Sequence, residues 1–236
     1  MSKSVNILAI DTAGAYCSVG LLVGGTSFVR SENTSQRHSR HILGMIDQLL
    51  IEAGVQLGDL HLLAWNAGPG SFTGLRIGAS VIQALAYSFS LPVLPLSSLE
   101  VIAYAALREA CPVLNESTAI AVAMDARMNG VYWARFISEQ DVLRRLEPDQ
   151  LLDKDLLDER RKQCSDVCLM VGDAWPLAVV PTGFESIIVD VSAADVMALA
   201  MKKSNESWLN NPAECLPYYV HNTINWQKRR ERELIL

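Results

Sequence analysis

The sequence predicts an α/β protein of two similar lobes, each a mixed sheet with helices on its faces. Three observations predict it. Apolar strands alternate with segments of helical apolar period, as crossover connections require. The same order of elements starts twice, near residues 5 and 119. Each start is a strand that runs into an acid and turns, Leu-Ala-Ile-Asp11 in one half and Val-Ala-Met-Asp125 in the other, which reads as a degenerate internal duplication. The join falls near residue 110, giving an N-terminal lobe over residues 1–110 and a C-terminal lobe with a tail over residues 111–236.

Taken in order, residues 5–12 form an apolar strand, residues 16–23 a second after a turn containing Gly14, and residues 26–31 a third after Gly24-Gly25. Over residues 39–53, Ile42, Met45, Ile46, Leu49 and Ala53 recur at helical spacing, and Gly54 stands where a C-terminal cap belongs. A short strand over 60–66, a helix over 73–89, a strand over 92–96 and a helix over 98–109 complete the first unit. The second unit has strands at 119–125, 130–137 and 141–145, a helix at 151–161, strands at 167–171 and 187–190, and a helix at 193–203. Ligands of such folds lie in the cleft at the carboxyl ends of the strands.

Half of the 236 residues are hydrophobic, enough to build sizeable cores. No apolar run reaches the roughly 18 residues that span a bilayer, and the start offers too short an apolar stretch before Asp11 for a signal peptide. A soluble cytoplasmic protein with no membrane contact is the expectation. The five cysteines, Cys17, Cys111, Cys164, Cys168 and Cys215, are odd in number and sit mostly among apolar neighbours, which predicts buried reduced thiols. A net charge of −6 repels a nucleic-acid backbone, so RNA is met only through a partner or a local basic patch.

The stretch Gly68-Pro-Gly-Ser-Phe-Thr-Gly74 combines glycines, hydroxyls and the start of a helix, the ingredients of an anion site. It fails the sharper tests. No lysine occurs between Lys3 and Lys154, so there is no Walker A loop, and the spacing of Gly70 and Gly74 misses the dinucleotide fingerprint by one residue. Arg76 supplies charge only if it points back to the loop. A tight strand-to-helix turn is the better reading.

The helix that follows carries Leu75, Ile77, Ala79, Val81, Ile82, Ala84, Leu85, Ala86 and Phe89, apolar almost all round. Such a helix must be covered almost all round. Gly74 and Gly78, one turn apart, let a neighbouring helix approach. The expected partner interface comprises Ile42, Leu43, Met45, Ile46 and Leu50 on the first helix with Gly74, Ile77, Gly78, Val81 and Leu85 on the second.

A degenerate phosphate loop is the remaining candidate for chemistry. Asp11 with Thr12 and Gly14 at its turn, and Asp125 as its counterpart, form a pair that would serve a magnesium-bound nucleotide if they faced each other. The bland alternative is that both acids only accept turn N–H groups. His38 and His41 lack a third ligand, Ser71 lacks the elbow of a nucleophilic serine, and Trp226 with the charged run after it reads as a frayed tail. No catalytic residue, metal site or required cofactor is assigned, and weak binding of ATP or ADP with magnesium is the open alternative.

Ile-Asp11-Thr, the segment from Gly68 to Gly78, Ser97-Ser-Leu-Glu100, Met-Asp125-Ala-Arg127 with Val131-Tyr132, and Pro217-x-Tyr219-x-His221-Asn222 together resemble the bacterial TsaB (YeaZ) family over nearly the whole chain. His221 stands where that family usually has arginine. The resemblance implies two RNase-H-like lobes of the actin-like ATPase (ASKHA) fold. It also implies a part in making N6-threonylcarbamoyladenosine, t6A, beside the anticodon of tRNAs reading codons that begin with A. In that family the transfer from threonylcarbamoyl-adenylate is performed by the paralogue TsaD, with TsaE as an ATPase, and this chain would be a scaffold subunit of the transferase complex. The paralogue's metal-binding His-x-x-x-His pair is missing here. By the same resemblance the two N-terminal helices pack as a four-helix bundle on TsaD, or on a second copy in a homodimer. The competing reading is a magnesium-dependent nucleotide-binding or hydrolysing enzyme using Asp11 and Asp125. A glycoprotease activity, attached to relatives of the fold, has no nucleophile or metal pair to carry it.

Overall fold

The computed structural model describes residues 5–33, 38–110, 117–140, 142–164, 167–175, 185–203 and 208–220. Strands β1 (Ile7–Asp11), β2 (Tyr16–Val23) and β3 (Thr26–Asn33) form an antiparallel meander. Helix α1 (His38–Ala53) then returns the chain to β4 (Leu62–Gly68), parallel to β1, and α2 (Phe72–Phe89) returns it to β5 (Val93–Ser97), parallel to β4. The order in this sheet is β3-β2-β1-β4-β5, and α3 (Ser98–Ala110) follows it.

The second half repeats the scheme. Strands β6 (Ser117–Arg127), β7 (Gly130–Glu139) and β8 (Val142–Arg145) form the meander, and β10 (Val167–Val171) and β11 (Glu185–Ile187) add in parallel beyond β6. The resulting order, β8-β7-β6-β10-β11, is that of the first sheet with each strand in the same role. Two RNase-H-like mixed sheets flanked by helices are therefore present, the two-lobed arrangement of the actin-like fold.

Two elements differ from the periodicity. Residues 151–161, read as one helix, divide into β9 (Gln150–Asp153) and α4 (Leu157–Gln163). Pairing of Leu151 with Tyr132 on β7 decides this, because a ladder offered by a neighbour outweighs a weak helical preference. The strand expected at 187–190 ends instead at Ile187, where its pairing with Val171 stops.

Strand β1 is buried on both faces, and its alternation sorts the cores. Leu8 and Ile10 join Ile42, Ile46 and Ile82 under α1 and α2. Ile7 and Ala9 meet Val196 and Leu199 of α5 (Ala193–Met201) on the opposite face. Helix α5, late in the chain, thus packs on the first sheet, while Leu99, Ala103 and Ala106 of α3 pack on Ile120, Val122 and Phe136 of the second. Gly20 lies against the Ala193 carbonyl, and the Ser18 hydroxyl accepts the Ala193 N–H at 2.8 Å. The segment 208–220 returns to the first sheet, where Leu209 pairs with Val93 and the Tyr218 N–H donates to Ala67 O at 2.8 Å.

Candidate functional site

The glycine loop is built around a turn of its own chain. Ser71 caps α2, accepting the Gly74 N–H at 3.2 Å, and donates its own N–H to Ala13 O at 2.7 Å. The Thr12 hydroxyl donates to Gly74 O at 2.8 Å. A Cβ on Gly70 would sit 2.5 Å from Ala13 O, and one on Gly74 would overlap Thr12 O. A Cβ on Gly78 would meet the Thr12 hydroxyl oxygen at 2.6 Å and Trp65 Nε1 at 2.7 Å. The three glycines therefore exist where the β1–β2 turn lies against α2, and Ala13 O takes the Ser71 N–H that an anion at the start of the helix would use. Gly14, at the tip of the turn, has open space around it.

Behind the turn lies a buried polar chain. Asp11 is 3% exposed; one oxygen accepts the Ala13 N–H at 2.9 Å and the other accepts from Asn66 Nδ2 at 3.1 Å. Asn66 Oδ1 accepts from the Ser98 hydroxyl at 2.7 Å and from Gly68 N at 3.3 Å. Burial pushes the Asp11 carboxyl up to about 6, against the lowering effect of the Ala13 and Asn66 donors, and the Asp195 charge adds to the rise. Asp125 has a different setting. Its side chain is 40% exposed, accepts the Arg127 N–H at 2.9 Å, and lies 3.7 Å from the Arg127 guanidinium. Each acid is thus engaged in its own turn, and both oxygens of Asp11 are already hydrogen-bonded within the first lobe. Among the described residues no group of three or more His, Cys, Asp or Glu side chains could hold a metal ion.

A folded-state pKa above the ordinary carboxyl value means that the native protein binds the proton more tightly than the unfolded chain. The Asp11 contribution therefore falls as pH rises from about 4 to about 6, by about 3 kcal/mol over that window, and is constant above it. Asp11→Asn removes this slope. Urea titrations of both proteins at several pH values are expected to diverge between pH about 4 and about 6 and to run parallel above; parallel curves throughout would mean that Asp11 titrates normally.

Burial divides the expected interface. Ile42, Met45, Ile46 and Leu50 are at most 8% exposed and belong to the first core, and Gly74 and Gly78 receive Thr12 and Trp65 instead of a foreign helix. Val81 and Leu85 are half-buried against the same core. Of the expected set, Leu43, 56% exposed, and the half-buried Ile77 remain toward solvent, and Ile51 on α1, 80% exposed, with Ala84 and Tyr87 on α2 extends them into a stripe. The carboxyl ends of the two helices border a hollow lined by Asp47, Ile51, Gly54 and Phe89.

Arg76 folds back toward the start of α2, onto a ring of the glycine stretch and not onto its backbone N–H groups. Its guanidinium lies 3.8 Å from the centre of the Phe72 ring, and its Nε donates to the Tyr219 hydroxyl at 3.3 Å. Phe72 and Tyr219 entered the sequence reading only as members of the family motifs, with no role given to either. The spacing of Phe72 and Arg76, four apart on a helix, was a readable signal of their contact, whereas nothing in the motif around Tyr219 says that it meets Arg76.

His41 Nδ1 pairs with Glu32 at 3.0 Å, and His61 Nδ1 accepts the Asn6 N–H at 3.1 Å, so neither is arranged as a ligand. Cys17, Cys164 and Cys215 are buried and form no disulfide among the described residues. Cys111, the side chains of His38 and Cys168, His221 and Trp226 lie outside the described residues. No helix among the described residues is long and apolar enough to cross a membrane.

Duplicated RNase-H-like sheets with a glycine loop closed on the first hairpin place the chain among the two-lobed actin-like proteins. A family model described as TsaD, tRNA N6-adenosine threonylcarbamoyltransferase, matches residues 29–154. The chain is 33% identical to the tRNA threonylcarbamoyladenosine biosynthesis protein TsaB of Escherichia coli (strain K12), over 97% of this chain and 100% of that protein. It is 30% identical to the TsaB of Haemophilus influenzae, over 98% and 100%. The solved structure of YeaZ from Pseudomonas aeruginosa superposes with a TM-score of 0.77 at 31% identity, covering 92% of this chain and 100% of that one. The chain belongs to the TsaB (YeaZ) family, and tRNA threonylcarbamoyladenosine biosynthesis is the process it takes part in.

Proposed function

We propose that this chain is a non-catalytic partner subunit for transfer of the threonylcarbamoyl group from threonylcarbamoyl-adenylate to N6 of the adenosine beside the anticodon, in tRNAs that read codons beginning with A. It stabilises the TsaD-type transferase as a heterodimer, works beside TsaE, pairs with a second copy of itself when alone, and meets tRNA only within the complex. The observation that carries this reading is the closed loop: the Ser71 N–H, a donor that a phosphate at the start of α2 would use, is bonded to Ala13 O, and the Thr12 hydroxyl ties the same turn to Gly74 O. A nucleotide-hydrolysing role would need that space and the oxygens of Asp11. The uncovered stripe of Leu43, Ile51, Ile77, Ala84 and Tyr87 supplies the docking face.

Leu43→Glu and Ile77→Glu test it. A carboxylate carried into an apolar interface without a partner costs several kcal/mol, so association with the transferase is expected to weaken on the order of 100-fold or more, with loss of t6A formation in a reconstituted reaction. Both variants should melt close to the parent, because Leu43 is exposed and Ile77 half-exposed. Val81→Glu is uninformative here, since Val81 packs on the protein's own core. Undiminished association of Leu43→Glu and Ile77→Glu would overturn the docking face. Calorimetry of the lone protein with ATP and magnesium is expected to show no binding heat, and a saturable signal would favour the enzymatic reading.

A further inference from the structure

Arg76 is the sole charged residue of α2, and it is exposed and held. The Phe72 ring lies beneath its guanidinium at 3.8 Å, and the Tyr219 hydroxyl accepts from Nε at 3.3 Å. The two rings are 6.2 Å apart, 58% and 43% exposed respectively. Tyr219 reaches this position because the segment 208–220 is strapped along α2, with Gln83 Nε2 donating to Cys215 O at 3.0 Å and the Tyr218 N–H donating to Ala67 O at 2.8 Å. Among the described residues Arg76 makes no ion pair. Among those residues its outer amino edge is oriented and unused. On a helix of 100° per residue, Arg76 lies on the same solvent face as Thr73, Ile77, Ser80, Ala84 and Tyr87.

We propose that Arg76, clamped by Phe72 and Tyr219, is a preformed bidentate receptor for a single Asp or Glu side chain of the subunit that docks on this face. The inference rests on the docking function proposed above and names the chemistry of the partner at that face. A stacked, hydrogen-bonded guanidinium presents its remaining N–H groups in a fixed fork, the geometry a carboxylate matches. Arginine among aromatics is also the composition of interface hot spots, where ordering done before binding need not be repeated on binding. A nucleic-acid phosphate fits less well. Backbone binding gathers several cations, whereas Arg76 is the sole charged residue of α2. A net charge of −6 opposes it further. One planar cation beside apolar groups matches one acid.

The test is calorimetric titration of the full chain into its transferase partner at low and high salt. Arg76→Ala is expected to weaken association on the order of 100-fold, and Arg76→Lys to recover less than about tenfold of that loss, because an ammonium keeps the charge without the fork. Phe72→Ala, which removes the platform and leaves the cation, is expected to cost about tenfold. Arg76→Glu should be rescued by reversing one acid on the partner's contact face, which identifies that acid. Affinity of Arg76→Ala within twofold of the parent overturns the proposal, as does full recovery by Arg76→Lys. Unchanged association with reduced tRNA binding by the assembled complex also overturns it, in favour of a phosphate. If Leu43→Glu disrupts association and Arg76→Ala does not, this inference fails and the docking function stands; if neither acts, both fail.

Discussion

Gly74→Ala is expected to destabilise the protein by about 3 kcal/mol and to abolish t6A formation in a reconstituted complex. The sign of the effect is informative. In a helix whose first turn is open to solvent or to a ligand, alanine for glycine stabilises by about 1 kcal/mol. Here the new methyl would overlap the Thr12 carbonyl, a backbone atom that cannot swing aside, while the Thr12 hydroxyl holds the same turn through Gly74 O. Relief requires α2 to move off β1, which opens the core under Leu75 and Ile82 and displaces the docking face. Gly44, in α1, supplies the control: nothing lies within 4 Å of the Cβ it would carry, so Gly44→Ala is expected to gain about 1 kcal/mol. Urea unfolding at neutral pH measures both. A Gly74→Ala protein as stable as the parent would mean that the loop is open and that the phosphate reading of its glycines should be restored.

Much of the fold was legible because its units carry their own periods. β1 is a short continuous apolar run, α1 shows one apolar stripe, and the acid-ended strands at Asp11 and Asp125 announce the repeat. What pairing decides was not legible: β9 exists because β7 offers Tyr132 to Leu151, and nothing within residues 150–153 says so. The site failed to read through for the same reason. The glycines of the loop resemble a ligand cradle because glycine records only that something comes close; that it is the Thr12–Ala13 turn is set by contacts across some sixty residues of sequence. The apolar girth of α2 indicated cover on several sides, and much of that cover comes from its own chain, from β4 and from the strap ending at Tyr219. Sequence gives the demand for burial; only the assembled sheet shows which residues meet it and leaves Leu43, Ile77 and Arg76 outward.

Asn66→Asp is expected to make stability steeply dependent on pH. The parent side chain is fully buried; Nδ2 donates to Asp11, and Oδ1 accepts from Ser98 at 2.7 Å and Gly68 at 3.3 Å. The substitution preserves shape and exchanges the donor that faces Asp11 for a second carboxyl oxygen. Two carboxyl groups in contact in a dry site cannot both ionise, so the folded variant retains a proton that the unfolded chain releases above its ordinary carboxyl range. The native state then binds more protons than the unfolded one, and stability falls by up to about 1.4 kcal/mol per pH unit from about pH 4 up to the raised pKa. Near-parental stability at pH about 5 and a loss of several kcal/mol by pH about 8 are the expected pattern. Asn66→Ala separates the second carboxyl from the lost contact: it strands the Ser98 hydroxyl and Asp11 at a cost of about 1–3 kcal/mol each, and, by removing a donor that lowers the Asp11 carboxyl, it extends only that one group's slope to higher pH. Because this chain of hydrogen bonds joins β1, the loop before α2, and α3 where it crosses to the second sheet, the protonation of residue 66 should also govern docking. Association of the Asn66→Asp protein with the transferase is expected to weaken as pH rises above about 6, in step with its stability, while the parent's association stays level there.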